Sequence, residues 1–422
     1  MTTLTTPNFY HRRRRLAQAV SVALAVLVPA FGLFRFDMRA GGVTVLDRQI
    51  WFSDFFLVAG LWIFLISLLV MLYSSAGTVF CGWVCPQNIL SEWANHMTHR
   101  LLGKRAEVSL EGHKPVVAIA KNKALNWILL GSSFLAASLL TGLIPLFYFY
   151  KPETILSFVL WQTDPELAGS LHWIYFVFVL IIFIDIAVIR HFWCRFACVY
   201  RVWQHSFRTR ETLHVAYDNS RAPECGSCNY CETSCFIDLN PKKTEVYDSC
   251  INCGECIDAC NRMHAKDKVV GLLRFKFGER EEAKTSRLNF RNATISLKSR
   301  SIWMFLIALL GIGFFIWGYV NWEPFHVAVY RAEVQSSSSN LDYRISVANK
   351  YLKPAEVRVK VEGLSQGEYQ LSEDDLIIPG GGRSSINLAI SPELSHGPHP
   401  FVVTVSSGSW VSDFSAQHFS DR

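Results

Sequence analysis

Apolar positions fall into two patterns along this chain. Up to residue 319 they gather into long runs, and beyond about residue 325 they alternate with polar ones. Five runs approach the roughly twenty residues that a helix needs to cross a bilayer: residues 16–36, 52–73, 127–148, 173–189 and 302–319. Trp51, Trp62, Trp127, Tyr148, Tyr150, Trp173 and Trp303 lie at or near their ends, as interfacial aromatic belts do. The first run follows His11-Arg12-Arg13-Arg14-Arg15 and contains Pro29, a kink that membrane helices tolerate. It is long for a signal-peptide core, and no small-residue cleavage site follows it. The expectation is a retained first transmembrane helix with its N-terminus inside.

Five crossings from an inside start place the C-terminus outside. The basic residues agree: Arg12–Arg15, then Arg100, Lys104 and Arg105, then Arg190 and Arg195, then Lys298 and Arg300 all fall on the inner side. The outer connections, residues 37–51 and 151–172, carry few. Asp185, inside the fourth run, is costly in lipid; it either faces the bundle or a functional group, or pairs with Arg190.

The last hundred residues alternate over 326–331, 341–349, 356–362, 384–390 and 401–405, with Ser336–Ser339 and Gly380–Gly382 as loop punctuation. In Tyr343-Arg344-Ile345-Ser346-Val347 the apolar residues recur at every second position, the mark of a half-buried strand. About seven short strands without cysteine predict an immunoglobulin-like sandwich lacking its disulfide. No catalytic constellation is evident in it, which makes it a binding or scaffolding module.

Composition narrows the class. Half of the 422 residues are hydrophobic and 18% are charged, and the mean hydropathy is +0.21. These values suit a membrane protein with soluble parts. The formal charge of +6 is modest, and its basic residues border apolar runs rather than one soluble face, which argues against nucleic acid. All 12 cysteines fall in four groups and none follows Cys260. That grouping points to metal and redox use in a reducing compartment, not to a disulfide framework.

Two of the groups repeat one spacing: Cys225, Cys228, Cys231, Cys235 and Cys250, Cys253, Cys256, Cys260. This is the bacterial ferredoxin interval, in which three cysteines of one run and the fourth of the other close each cluster. The expected ligands of one 4Fe–4S cluster are therefore Cys225, Cys228, Cys231 and Cys260. Those of the other are Cys250, Cys253, Cys256 and Cys235. The fourth cysteine of each run is expected to start a short helix, and Gly226 and Gly254 to supply backbone freedom. Phe236 and Asn261 stand where proline commonly follows the fourth cysteine. Zinc is the competing reading, disfavoured because each run holds four cysteines. Flanking Arg208, Arg210, Lys284, Arg287 and Arg291 read as solvated or membrane-facing charge before a docking face for an acidic redox partner.

Cys81-Gly82-Trp83-Val84-Cys85-Pro86 follows the second run and Cys194-Arg195-Phe196-Ala197-Cys198 follows the fourth. An i,i+4 spacing would put each pair on one helical face. Both pairs then lie at inner ends of same-direction helices, able to form a four-thiolate site for Cu(I), zinc or iron–sulfur. Packing as small hydrophobes is the bland alternative. His96, His99, His113 and His191 are nearby in sequence, but none is singled out as a ligand.

Together these motifs resemble the accessory family of cbb3-type cytochrome c oxidase, CcoG (also called FixG or RdxA). The similar stretches are Phe34-Arg35-Phe36-Asp37, Phe80 through Gln87, Trp193 through Cys198, both ferredoxin runs, Gly271 through Phe275, and Tyr343 through Asn349. Phe236 and Val199 depart from the family's prolines. The resemblance implies a multi-pass protein of the bacterial inner membrane. Residues 1–207 would hold four helices and both CxxxC motifs, residues 208–300 a cytoplasmic ferredoxin domain, residues 301–321 the fifth helix, and residues 322–422 a periplasmic domain. It implies reduction of Cu(II) to Cu(I) during oxidase maturation. Cys81, Cys85, Cys194 and Cys198 would be a copper or electron-entry site, with oxidase subunits or copper-delivery proteins as partners. A NapH- or NosR-like quinol-linked conduit is the alternative, as is an assembly scaffold with structural clusters.

Overall fold

The computed structural model describes residues 8–37, 41–46, 48–106, 108, 114–209, 211–226, 228–245, 248–265, 268–277, 287–331, 343–365, 367–391, 394–420, without the side chains of 105 and 287–301. His113, Arg210, Lys284, Ser336–Ser339 and the side chains of Arg105, Arg287, Arg291, Lys298 and Arg300 lie outside the described residues. The chain divides into two compact units. One comprises Met1–Ala30 and Gly60–Gly313, the other Phe31–Ala59 and Phe314–Arg422.

Helices α1 (Phe9–Ala30), α2 (Phe55–Ala76), α3 (Val79–Trp83), α4 (Pro86–Leu102), α5 (Ala124–Leu143), α6 (Pro152–Val159), α7 (Leu171–Ile184) and α8 (Val199–Phe207) come from the first half of the chain. Four stretches among the described residues are long and apolar enough to cross a membrane: Phe55–Ala76, Ala124–Tyr148, Leu171–Ile189 and Ile302–Val320. The last ends a longer helix, α12 (Arg287–Val320). They match four of the five expected spans.

The first expectation needs correction. The apolar run 16–36 is not one helix. It stops at Ala30, Gly32 takes a left-handed φ of +71°, and Phe34–Asp37 becomes strand β1. At about 1.5 Å per residue, the apolar part of α1 is short of a bilayer, and arginines fill its first turns. It nonetheless runs from the cysteine-bearing lobe, where Tyr10 meets Phe275 edge-on at 5.2 Å, to the end of α5 at Ile144–Tyr148.

In the cysteine-bearing lobe, β4 (His214–Tyr217) pairs antiparallel with β5 (Leu273–Lys276). Short helices α9 (Ala222–Cys225) and α10 (Tyr230–Thr233) and the longer α11 (Glu255–His264) lie between them. Val215, Cys231, Cys256, Ile257 and Leu273 form its buried core.

The second unit has more strands than expected. The connection read as an outer loop forms an antiparallel sheet of β1, β2 (Gly42–Val45) and β3 (Arg48–Trp51). The C-terminal part holds β6 (Phe325–Arg331), β7 (Tyr343–Asn349), β8 (Ala355–Glu362), β9 (Tyr369–Leu371), β10 (Asp375–Ile378), β11 (Arg383–Ile390), β12 (Gly397–Ser407) and β13 (Trp410–Ser420). They make two four-stranded sheets, ordered β10-β8-β12-β13 and β6-β7-β11-β9. One core joins them, with Ile345, Val347, Ile386 and Leu388 from one sheet against Val357, Val359, Phe401 and Val403 from the other. Buried Lys350 donates to Asp54 at 2.7 Å, and Arg48 lies over the rings of Tyr319 and Trp322. These contacts tie residues 31–59 to the C-terminal sheets within the unit.

Candidate functional site: two cysteine sets and a membrane-edge thiol cluster

Cys235, Cys250, Cys253 and Cys256, the four sulfurs expected to share a cluster, line one cavity. Its remaining walls are mostly apolar, with Val215, Phe236, Ile237, Leu239, Pro241 and Ile251 among them. Four soft sulfur donors in an apolar recess fit an iron–sulfur cluster. The loop that presents three of them depends on two left-handed residues, Asn252 (φ +51°) and Gly254 (φ +84°). Asn252 is held there by donating to the carbonyls of Ala76 and Leu213. Burial pushes the Cys250 thiol up to about 11 and raises Cys253 as well, with Arg14 opposing the shift.

Sequence reasoning did not find Arg14 among its arginines. It is fully buried, chelates Glu92 through two bonds of 2.6 and 3.0 Å, donates to Glu255 at 2.7 Å, and lies over the Phe236 ring. Phe236 also meets the His191 ring at 4.8 Å, tilted by 40°. The residue standing in for the usual proline is thus a cavity wall, clasped between a cation and an imidazole. His11 adds a backbone bond to Asp258 and a ring bond to Glu255, each 2.8 Å. The first helix therefore sits on the second cysteine run.

In the other set Cys231 is buried, and Cys225, Cys228 and Cys260 are half-buried. Cys225, Cys231 and Cys260 are electrostatic neighbours, and burial pushes Cys231 up to about 11. The Cys228 carbonyl accepts from Lys242 Nζ at 2.7 Å, and Cys260 Sγ accepts from the Leu272 amide at 3.2 Å. Asn261, the second stand-in for proline, accepts from the Gly271 amide at 3.1 Å. The fourth cysteines do not start helices as expected. Instead Cys231 and Cys256, the third of each run, lie in the first turns of α10 and α11, while Cys260 sits in the second turn of α11.

Cys81, Cys85, Cys194 and Cys198 are electrostatic neighbours: Cys85 and Cys198 act on Cys81, and Cys85, Cys81 and Cys198 act on Cys194. They do not ride on continuous α-helices. Val84 breaks the chain after α3, and Cys85 becomes the N-cap of α4 with Pro86 at the first helical position. Cys194 lies in a wide turn over Trp193–Ala197, and Cys198 is the N-cap of α8. Val199 therefore holds the place that Pro86 holds in the other motif, one that accepts proline but does not require it. Burial pushes Cys81 up to about 12 and raises Cys194 further. Among the described residues, no group of three or more His, Cys, Asp or Glu side chains is set to hold a single metal ion.

The thiol cluster abuts the second run directly. Thr78 donates to the Cys250 carbonyl at 2.5 Å, and Trp83 Nε1 donates to the Asn252 carbonyl at 2.9 Å. A Cβ on Gly82 would collide with the Ile251 carbonyl oxygen and sit 3.2 Å from Cys253 Cα. Gly82 is therefore the point where the CxxxC backbone touches the cluster loop.

His191 lies between Asn95 and Asn88 at 3.4 and 3.3 Å. Asp185 accepts from Gln87 at 2.7 Å, while Arg190 turns to Asn95, Thr98 and the Ile186 carbonyl. His96 and His99 lie on α4 and His113 outside the described residues.

Residues 56–105, which include Cys81 and Cys85, match the family model described as "4Fe-4S binding domain". RdxA of Cereibacter sphaeroides is 30% identical over 226 residues, covering 50% of this chain and 46% of RdxA. FixG of Rhizobium meliloti is 25% identical, covering 50% of this chain and 43% of FixG. The ferredoxin-type protein NapH of Haemophilus influenzae is 26% identical, covering 58% of this chain and 85% of NapH. The chain thus spans about half the length of RdxA and FixG. Four of its helices are long and apolar enough to cross a membrane, and these matches support a membrane protein with a 4Fe-4S binding domain. These matches support the resemblance to the FixG/RdxA family of polyferredoxin-like proteins.

Proposed function

We propose that this protein delivers electrons to Cu(II), releasing Cu(I) for assembly of a cbb3-type cytochrome c oxidase, from a position in the bacterial inner membrane. Cys225, Cys228, Cys231 and Cys260 would hold one 4Fe–4S cluster, and Cys250, Cys253, Cys256 and Cys235 the other. Each cluster supplies one-electron redox chemistry when bound. Cys81, Cys85, Cys194 and Cys198 are the candidate copper site, since soft thiolates favour Cu(I). The C-terminal sheets are read as an immunoglobulin-like sandwich on the periplasmic side that engages a partner, with the cysteine-bearing lobe in the cytoplasm.

The observation that carries the reading is the contact at Gly82, which sets the thiol cluster against the loop of Cys250 and Cys253. Around it the chain's own residues exclude water and hold charge. Arg14 places a buried cation beside Cys253, while Glu92 and Glu255 balance it. Apolar walls lower the dielectric around the sulfurs.

The test is anaerobic. Dithionite-reduced protein mixed with Cu(II) should lose its reduced-cluster electron paramagnetic resonance signal as a chelator captures Cu(I). The double variant Cys81→Ser with Cys85→Ser should keep its iron but reoxidise far more slowly. Absence of reoxidation in the unaltered protein would defeat the copper reading. The coverage of NapH over most of its length favours one second reading, a quinol-linked conduit. There, a quinol as sole donor would reduce the clusters.

A further inference from the structure

Gln204 lies on α8 six residues beyond Cys198 and is fully buried. A primary amide brings two N–H donors and a carbonyl oxygen with two lone pairs. Here only the oxygen is engaged, accepting from Cys81 Sγ at 3.2 Å. Gln204 Nε2 is buried and, among the described residues, has no hydrogen-bond partner. A buried donor without an acceptor is costly, and an apolar side chain of the same shape would avoid that cost. The amide is explained if the sulfur has a second state. A thiol donates, so it needs the oxygen of Gln204. A metal-bound thiolate only accepts, so it needs the nitrogen. Rotation of the terminal amide by about 180° exchanges the two ends within the same envelope, because oxygen and nitrogen are nearly the same size. The neighbouring cations Arg201 and Arg208 face the same sulfurs, so a sulfur that has lost its proton also meets positive charge.

We propose that Gln204 is a positioning residue for Cys81, accepting from its thiol in the metal-free protein and donating Nε2–H to its thiolate when Cu(I) is held there. This rests on the reading of the four membrane-edge cysteines as the copper site. On binding, the Cys81 S–H bond breaks, a Cu–S bond forms, and the proton leaves to solvent. No electron changes hands in this step. The amide turns over to follow the sulfur, and the orphaned donor gains its partner.

The experiment measures Cu(I) affinity of the full chain, anaerobically and with its iron in place, by competition with a chromophoric Cu(I) chelator. Gln204→Met, which fills the space without donor or acceptor, should weaken binding about 10- to 100-fold, the usual cost of losing an outer partner of a metal ligand. Gln204→Glu, which keeps an acceptor and removes the donor, should weaken it at least as much. Iron content and cluster spectrum should stay unchanged in at least one of the two, which a general packing defect would not allow. Alkylation of Cys81 in metal-free protein gives a second readout. Gln204→Met should change its rate and leave Cys225 unaffected. Unchanged Cu(I) affinity in a cluster-loaded Gln204→Met or Gln204→Glu protein overturns the proposal, as does loss of clusters in both. If those variants bind normally while Cys81→Ser with Cys85→Ser does not, the copper site stands and the role of Gln204 falls. If the cysteine variant also binds normally, both fall.

Discussion

His191 shows how one side chain couples burial to pH. It is almost wholly buried, and burial together with Arg190 and Arg14 brings its imidazole down from 6.5 to about 3. In the folded protein it is therefore neutral. As pH falls below about 6.5 the unfolded chain takes up a proton here that the folded chain refuses until about 3. The stability this neutral ring contributes is complete above 6.5 and is lost on acidification through that window. The slope is about 1.4 kcal/mol per pH unit for one proton. Thermal unfolding followed by tryptophan fluorescence should show that slope, and His191→Gln should flatten it; an equal slope in both would refute the assignment. Arg14 makes the complementary point. Four consecutive arginines read alike in a sequence, yet one of them is buried against two carboxylates and an aromatic ring because the first helix crosses the cluster loop.

At the scale of elements, the two CxxxC motifs are helix-breaking corners, and the corner is what lets four sulfurs meet. A continuous helix would carry the second cysteine of each pair on along its axis, one turn away. The break at Val84 and the wide turn at Trp193–Ala197 instead make both second cysteines N-caps of new helices. The β1–β3 sheet is likewise a product of context. Its strands are four residues each, too short to stand alone. They persist through the buried Lys350–Asp54 pair and the rings around Arg48. Lys350→Ala leaves Asp54 without its cation and should cost about 3 kcal/mol. The expected readout is early loss of the second unit's unfolding transition, monitored at Trp51, with the visible absorbance of the clusters unaffected. Simultaneous loss of both would show that the pair does more than hold this unit.

At the scale of the molecule, the proposed sidedness makes a prediction that labelling can check. Lys360 on the C-terminal sheets and Lys243 beside the cysteine lobe are both exposed. Cysteine placed at Lys360 should react with an impermeant maleimide in spheroplasts, and cysteine at Lys243 only after lysis. Reaction of the Lys243 variant in intact cells would reverse the assignment. The first helix bears on this directly. It has the 22 residues of α2 but not the apolar composition of a spanning helix, yet packs from the cysteine lobe to the far end of α5. Its Arg14 is accommodated by Glu92 and Glu255 instead of by water, which a hydropathy pattern has no means of expressing.

What the sequence determined by itself is everything that depends on local interval. Four apolar stretches of membrane length, the alternation of the C-terminal strands, and the two ferredoxin spacings are all periodicities that neighbouring residues impose without help from the rest of the chain. Tertiary structure decided what depends on distant partners. It turned Phe236 from an irregularity into a wall, singled out Arg14 and Gln204, and bent both CxxxC segments into corners. Those outcomes arise where side chains far apart in the chain meet, Arg14 with Glu92 and Glu255 or Cys81 with Gln204, and spacing along the chain carries no record of such meetings.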